Sequence, residues 1–98
     1  MILVVTYDLG SPVDRPAFFD ALKQQGGWWH YIKNTWLLST QKTPQEVFDV
    51  LKPHLTSGDR LLIVRMGDSR QGWLPQDAWD WIRKHEGGTG SLRFGSGT

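Results

Sequence analysis

The chain has 98 residues, 39% of them hydrophobic, with eleven Lys and Arg against ten Asp and Glu. This length predicts one domain, and six Trp, four Phe and two Tyr supply enough apolar surface for one core. The absence of Cys excludes a disulfide scaffold, a thiolate zinc site and a cysteine nucleophile, and the net charge of +1 gives no overall basic field for nucleic acid.

The first predicted element is a strand over residues 2–7, where apolar or β-branched side chains occupy both parities. A strand that is apolar on both faces is typical of the centre of a sheet. A turn-forming Asp-Leu-Gly-Ser-Pro segment follows. We then expect a helix with Asp14 as its N-cap, Pro16 in its first turn and Gly26-Gly27 after its end. Its apolar stripe consists of Phe18, Ala21 and Leu22.

Aromatic and β-branched residues on each side of Lys33-Asn34 predict a β-hairpin with these two residues as its loop. In that register Trp29 faces Leu38 on one side of the sheet, and Trp28 faces Ser39 on the other. Since Lys33-Asn34 is not the ideal Asn-Gly pair, a slip of one residue stays open, and it would exchange the two faces.

The second half of the chain predicts a helix, a strand and a further helix. A capping box over residues 43–46, with Pro44 at the first helical position, begins the second helix, and Pro53 kinks or ends it. Residues 60–66 are predicted as a strand and residues 75–85 as a short third helix. The expected buried stripe of the second helix is Val47, Val50, Leu51 and Leu55.

This order of elements predicts an α+β protein, a ferredoxin-like βαββαβ sandwich with an extra C-terminal helix. Right-handed crossovers place the two main helices on one face of a four-stranded antiparallel sheet. The other face is apolar enough to need a cover, for which the C-terminal helix, a second protomer and a ligand are the alternatives. We expect residues 1–86 to form the domain and the Gly-rich residues 87–98 to form a flexible tail.

The sequence favours a cytoplasmic protein without an organic cofactor. The apolar N-terminus is short, has no preceding basic region and is interrupted by Asp8, so we expect no signal peptide. Nothing approaches the length of about 20 apolar residues that spans a membrane. The chain also contains no P-loop, dinucleotide fingerprint or HExxH motif.

Several motifs resemble known families. The opening strand with Asp directly after it resembles the CRISPR-associated protein Cas-two and its relative, virulence-associated protein D. A set of motifs over about residues 1–85 is similar to small bacterial and phage proteins often labelled "SinR family". These motifs are Tyr7-Asp8-Leu9, Trp28 to Tyr31, Thr35-Trp36, Leu51-Lys52-Pro53 and Gly72 to Pro75.

The resemblance implies a homodimer with a ferredoxin-like fold. In Cas-two each protomer contributes the Asp that ends its first strand, and the two Asp residues lie near the twofold axis. The pair is thought to hold a divalent metal in members that cut RNA or DNA, whereas other members act as a scaffold for DNA. Only Asp8 occupies that position here, so the resemblance implies Mg²⁺ held by Asp8 from two protomers.

Two residues are candidates for catalysis. Asp8 is an oxygen ligand of the kind that Mg²⁺ prefers, and the alternative is that it accepts N–H bonds within its own turn. His30 is a candidate general acid or base near neutral pH, and the alternative is a partly buried histidine with one hydrogen bond.

The candidate contacts to nucleic acid are Lys33, Arg65 and Arg70, although acidic residues intermingle with the last of these. The six Trp residues have two interpretations, because aromatic side chains on an open sheet can stack bases or can simply build a core. The sequence favours Trp29 and Trp36 as core, with the other four sealing the sheet or a dimer.

Three functions follow from these features. The first is a Cas-two-like homodimer that engages nucleic acid, as a metal-dependent endoribonuclease or toxin-like nuclease. The second is a non-catalytic dimeric interaction or regulatory module on the same fold. The third is a small-molecule sensor in the manner of other ferredoxin-like regulatory domains.

Overall fold

The computed structural model describes residues 1–11 and 15–86. The expected tail over residues 87–98 and the expected N-cap Asp14 lie outside the described residues. Within the described part, no helix is both long enough and apolar enough to cross a membrane. The elements are β1 (Ile2–Asp8), α1 (Pro16–Lys23), β2 (Gly27–Ile32), β3 (Thr35–Ser39), α2 (Pro44–Leu51), a 3₁₀ turn (Lys52–His54), β4 (Arg60–Arg65) and α3 (Gln76–Glu86).

The four strands form one sheet in the order β2-β3-β1-β4, and every neighbouring pair is antiparallel. β1 therefore lies between β3 and β4, which explains why its side chains are apolar on both faces. The predicted α+β class, with a four-stranded antiparallel sheet and a helix beyond the last strand, is confirmed at that level.

The main core lies between one face of the sheet and the helices α1 and α2. Alternate residues of β1 and β3 point into it, as expected for a strand period of two residues. Within this core the Trp36 indole N–H donates a 2.9 Å hydrogen bond to the Tyr7 hydroxyl, so the polar atoms of both rings are satisfied. The buried members are Leu3, Val5, Tyr7, Phe18, Leu22, Trp36, Leu38, Val47 and Leu51.

A second, smaller core lies on the opposite face of the sheet, beneath α3. Ala78 and Ile82 of α3 are buried against Ile2, Trp29 and Leu37 of the sheet. The Trp29 indole N–H lies 3.4 Å from the Ala78 carbonyl oxygen, to which it donates. Of the three covers expected for this face, the C-terminal helix α3 is the one present in the chain. We call this face the open face, because α3 covers only part of it.

The register of the β2–β3 hairpin differs from the predicted one. Ile32 pairs with Thr35, so Lys33-Asn34 is the two-residue loop as expected. Beyond the loop, however, Trp29 pairs with Leu37. Between these two pairs β2 has two residues and β3 has one, which is a β-bulge. The expected pairing of Trp29 with Leu38 is therefore wrong, since the extra residue turns Trp29 toward α3.

Trp28 changes face together with Trp29. It pairs with Leu38 rather than with the predicted Ser39, and its ring packs against Trp36 on the face that carries α1 and α2. The bulge thus has the effect that a slip of one residue would have had, although the loop itself stays where the sequence placed it.

The helix termini follow local sequence signals in α2 more closely than in α1. In α2 the Glu46 backbone N–H donates to the Thr43 hydroxyl, and the Thr43 N–H donates to the Glu46 carboxylate, which confirms the capping box. In α1 the N-cap position belongs to Arg15, which makes no side-chain cap bond, and Pro16 is the first helical residue. The predicted buried position of Val50 is wrong, because this side chain is exposed.

Gly26 joins α1 to β2 at a point where no side chain fits. Its φ is +158°, and a Cβ there would lie 2.1 Å from the Ser39 carbonyl oxygen. We expect Gly26→Ala to lower the free energy of unfolding by about 1–3 kcal/mol, because backbone has to move to relieve the overlap. Urea unfolding gives the value, with Gly67→Ala as the matched control, since a Cβ at Gly67 meets nothing within 4 Å. Equal midpoints for the two variants would show that the α1–β2 junction is not constrained in this way.

Candidate site at the end of strand β1

Asp8 is the last residue of β1 and its side chain is exposed. Because it has the same parity as Thr6 and Val4, it lies on the open face of the sheet. Its partner in β4 is Arg60, whose guanidinium donates to the Asp59 carbonyl oxygen at 3.0 Å. The central position of β1 fixes the backbone of Asp8, while the carboxylate itself faces solvent.

The carboxylate that holds the turn after β1 is that of Asp59, and not that of Asp8 as the sequence suggested. None of the described residues donates a hydrogen bond to the Asp8 side chain, whereas Asp59 accepts two backbone bonds at once. The Gly10 N–H donates to Asp59 Oδ1 at 2.8 Å, and the Thr56 N–H donates to Oδ2 at 2.7 Å. Asp59 thus ties the loop after β1 to the turn before β4.

Arg15 completes this connection. Its guanidinium donates to Asp59 Oδ2 and to the Gly10 carbonyl oxygen, the latter at 2.9 Å. The two charged side chains are nearly buried, with exposed fractions of 10% for Arg15 and 2% for Asp59. The Arg15 hydrogen bond, together with those from Thr56 and Gly10, holds the pKa of Asp59 well below its usual range. The sequence does not reveal the role of Asp59, because its partners Gly10 and Arg15 lie more than 40 residues away along the chain.

His30 lies on the other side of the sheet from Asp8. Its ring stacks on Trp36 at a centroid distance of 4.6 Å, on the face that carries α1 and α2. Nε2 donates to the Lys33 carbonyl oxygen at 2.7 Å, and the residue is exposed. The two candidate catalytic residues are therefore not brought together within one chain.

The three candidate nucleic-acid contacts are also spread over the molecule. Lys33 is in the β2–β3 loop, near the Tyr7 end of β1, because the Tyr7 N–H donates to the Asn34 carbonyl oxygen. Arg65 lies at the opposite end of the sheet, opposite Leu3. Arg70 lies in the loop before α3, where it pairs with Glu86 and donates to the Gly67 carbonyl oxygen. The three side chains do not form one continuous basic patch.

The six Trp residues follow the predicted division into core and sealing residues only in part. Trp29 and Trp36 are buried, which confirms them as core. Trp79 and Trp81 pack at the border of the core beneath α3. In contrast, 42% of Trp28 and all of Trp73 are exposed to solvent.

Residues 1–11 and 15–86 contain no group of three or more His, Asp or Glu side chains that could hold a metal ion. Asp8 therefore offers a single carboxylate to a divalent cation, without a second acidic or His ligand group beside it among the described residues.

No family model matches the chain, and neither a curated protein nor a solved structure matches it.

The Asp59 carboxylate predicts a specific acid dependence of stability. Its pKa is lower in the folded chain than in the unfolded chain, so its contribution is complete at neutral pH and is lost as the pH falls below about 4. We expect Asp59→Asn to lower the urea midpoint at pH 7 and to lose less further stability than the wild type between pH 5 and pH 3. Asp20→Asn, which replaces an exposed carboxylate on α1, is the control for the loss of one negative charge. Parallel acid profiles for the wild type and Asp59→Asn would contradict the assignment.

Proposed function

We propose that the chain is a homodimeric, nucleic-acid-associated protein of the Cas-two type with a ferredoxin-like fold. The strand order supports the fold, because α1 and α2 each connect two strands that have one other strand between them. That interleaving is what two crossovers of a split βαβ unit produce. Both helices pack on the same face, which leaves the opposite face for α3 and for a partner.

The observation that carries the dimer is the uncovered part of the open face. Leu62 and Val64 of β4 are 58% and 43% exposed, and Val64 pairs with the partly buried Val4 of β1. β4 is also an edge strand, so its outer backbone groups have no strand partner in the described chain. Apolar surface of this kind, next to an open sheet edge, favours association, and we propose a second copy of this chain as the occupant.

Asp8 lies on the same face as this apolar surface. Packing of two open faces about a twofold axis would place the two Asp8 carboxylates at one interface. Mg²⁺ is often held by one or two carboxylates together with water and phosphate oxygens, and a shared pair would supply two carboxylates where one protomer supplies one. When bound, such a cation neutralises phosphate charge and lowers the pKa of water. Asp8 would act as a ligand, and His30, on the other face, takes no part in this proposal.

A non-catalytic dimeric module is the second candidate function. It is favoured by the isolation of Asp8, since no cluster of His, Asp or Glu accompanies it among the described residues. Both functions need the dimer, but only the nuclease needs Asp8. The two are therefore separated by experiments on oligomeric state and on cleavage.

The dimer is tested by a charge on the uncovered surface. We expect the wild type to sediment at twice the chain mass of 11.2 kDa at micromolar concentration, and Leu62→Arg to sediment as a monomer. Leu62 is exposed in the protomer, so Leu62→Arg should keep the wild-type circular dichroism spectrum, which shows that the protomer is still folded. Val50→Arg is the control, because Val50 is an exposed apolar residue of α2 on the other side of the sheet. A monomeric wild type, or a dimer that persists in Leu62→Arg, would reject this interface.

Cleavage tests the role of Asp8. We expect the purified dimer to cut RNA or DNA in the presence of Mg²⁺ or Mn²⁺, and Asp8→Asn to abolish cleavage without shifting the unfolding midpoint. Asp20→Asn, which alters an exposed carboxylate on α1, should retain activity after the same purification.

Cleavage that survives in Asp8→Asn would assign the activity to a contaminant or to other residues. A dimeric wild type that neither cuts nor binds Mg²⁺ at millimolar concentration would instead identify the non-catalytic module.

A further inference from the structure

The charges of the chain are unevenly distributed although the net charge is small. No Asp or Glu occurs between Asp20 and Glu46, a stretch that contains Lys23, Lys33 and Lys42. Without these three lysines the chain has eight basic residues against ten acidic ones. The acid-free stretch comprises the end of α1 and the whole β2–β3 hairpin, so it forms the β2 edge of the sheet. The stretch itself is basic on a chain that is otherwise slightly acidic. The Asp77 carboxylate of α3 also reaches β2, where it accepts a hydrogen bond from the Tyr31 hydroxyl at 2.6 Å on the face that carries α3.

The same edge carries an aromatic surface that the β2 bulge creates. The Trp28 ring lies 4.9 Å from Trp36, and the His30 ring stacks on Trp36 at 4.6 Å. Trp36 is buried beneath them, whereas Trp28 is 42% exposed and His30 is exposed. Two flat rings are thus held by a core residue and remain accessible to solvent.

Lysine side chains flank these rings. Lys23 Nζ lies 5.3 Å from the centre of the Trp28 ring. At the other end, the carbonyl oxygen of the exposed Lys33 accepts the hydrogen bond of His30. Lys42 Nζ donates to the Gln25 amide oxygen, which places a third ammonium group beside the end of α1. The two rings and Lys23 Nζ therefore lie together on one face of β2, with Lys33 in the loop after the strand and Lys42 beside Gln25 before its start.

We propose that a strip of residues, which consists of Lys23, Trp28, His30, Lys33 and Lys42, binds single-stranded nucleic acid. The exposed faces of Trp28 and His30 stack unpaired bases, and the lysines contact the phosphates. Such a combination of stacking rings and basic side chains is how proteins bind single strands without sequence preference. A duplex hides its base faces, so it gains only the contacts to phosphate.

The strip rests on the proposed association with nucleic acid, but it needs neither the dimer nor Asp8. Of the three basic residues that the sequence suggested, only Lys33 belongs to it. It also lies on the edge opposite β4, so the proposed dimer interface leaves it free.

Fluorescence anisotropy with a labelled oligo-dT at low salt tests the strip. We expect Trp28→Ala to weaken binding about fivefold or more, which corresponds to the loss of one stacked base. Trp73→Ala is the matched control, because this fully exposed Trp lies outside the strip and should bind as the wild type does. Trp28→Phe, which retains a ring, should recover most of the affinity. Lys23→Gln should weaken binding and reduce its salt dependence by about one ion.

Unfolding midpoints of each variant show whether a loss of binding reflects a loss of the fold. If the wild type binds and Trp28→Ala binds equally well, the strip is rejected while the association with nucleic acid stands. If the wild type binds no single strand at low salt, the strip is rejected, and cleavage by the wild type then decides separately whether the proposed function survives. Equal affinity for a duplex of the same length would also reject base stacking.

Discussion

One extra residue in β2 determines which aromatic side chains reach each face of the sheet. Because β2 has two residues opposite Trp36, Trp29 turns to the open face and Trp28 to the face of α1 and α2. The first consequence is the position of α3, which packs on Trp29. The Ala78 carbonyl oxygen of α3 accepts the hydrogen bond of the Trp29 indole N–H. The second is the cover that Trp28 and His30 provide for Trp36. Without the bulge, Trp29 would lie on the face of α1 and α2 in place of Trp28, and α3 would lose its contact with the Trp29 ring.

Local sequence signals predicted the elements well, and contacts distant in sequence limited the rest. The capping box of α2 is complete within four residues, so it could be identified without any knowledge of the fold. The bulge could not be identified in this way, because either register of the hairpin buries a tryptophan. The choice between the two registers depends on α3, almost fifty residues further along the chain. The role of Asp59 was missed for the same reason, since its partners Gly10 and Arg15 lie far from it in sequence. The position of Asp8 at the end of the first strand followed from the local sequence, whereas its exposure did not.

The molecule separates two kinds of surface. The open face beside β4 is apolar and carries Asp8, whereas the β2 edge is basic and aromatic. Because β3 and β1 separate β2 from β4, a partner on the β4 side does not obstruct the β2 edge. A dimer formed through the open face would present two β2 edges at its ends, and a strand of nucleic acid that contacted both would gain from their linkage. A low net charge is thus compatible with binding to nucleic acid, provided that the charges are segregated as they are here.

The buried pair of Arg15 and Asp59 also constrains how the molecule opens. One carboxylate holds the amide groups of Gly10, just after β1, and of Thr56, in the turn before β4. Because the same side chain holds both amides, they should exchange with solvent deuterium in a single cooperative event rather than independently. Gly10 is thus tied directly to the entrance of β4. A ligand held by Asp8 would therefore meet backbone at Gly10 that is already held in place.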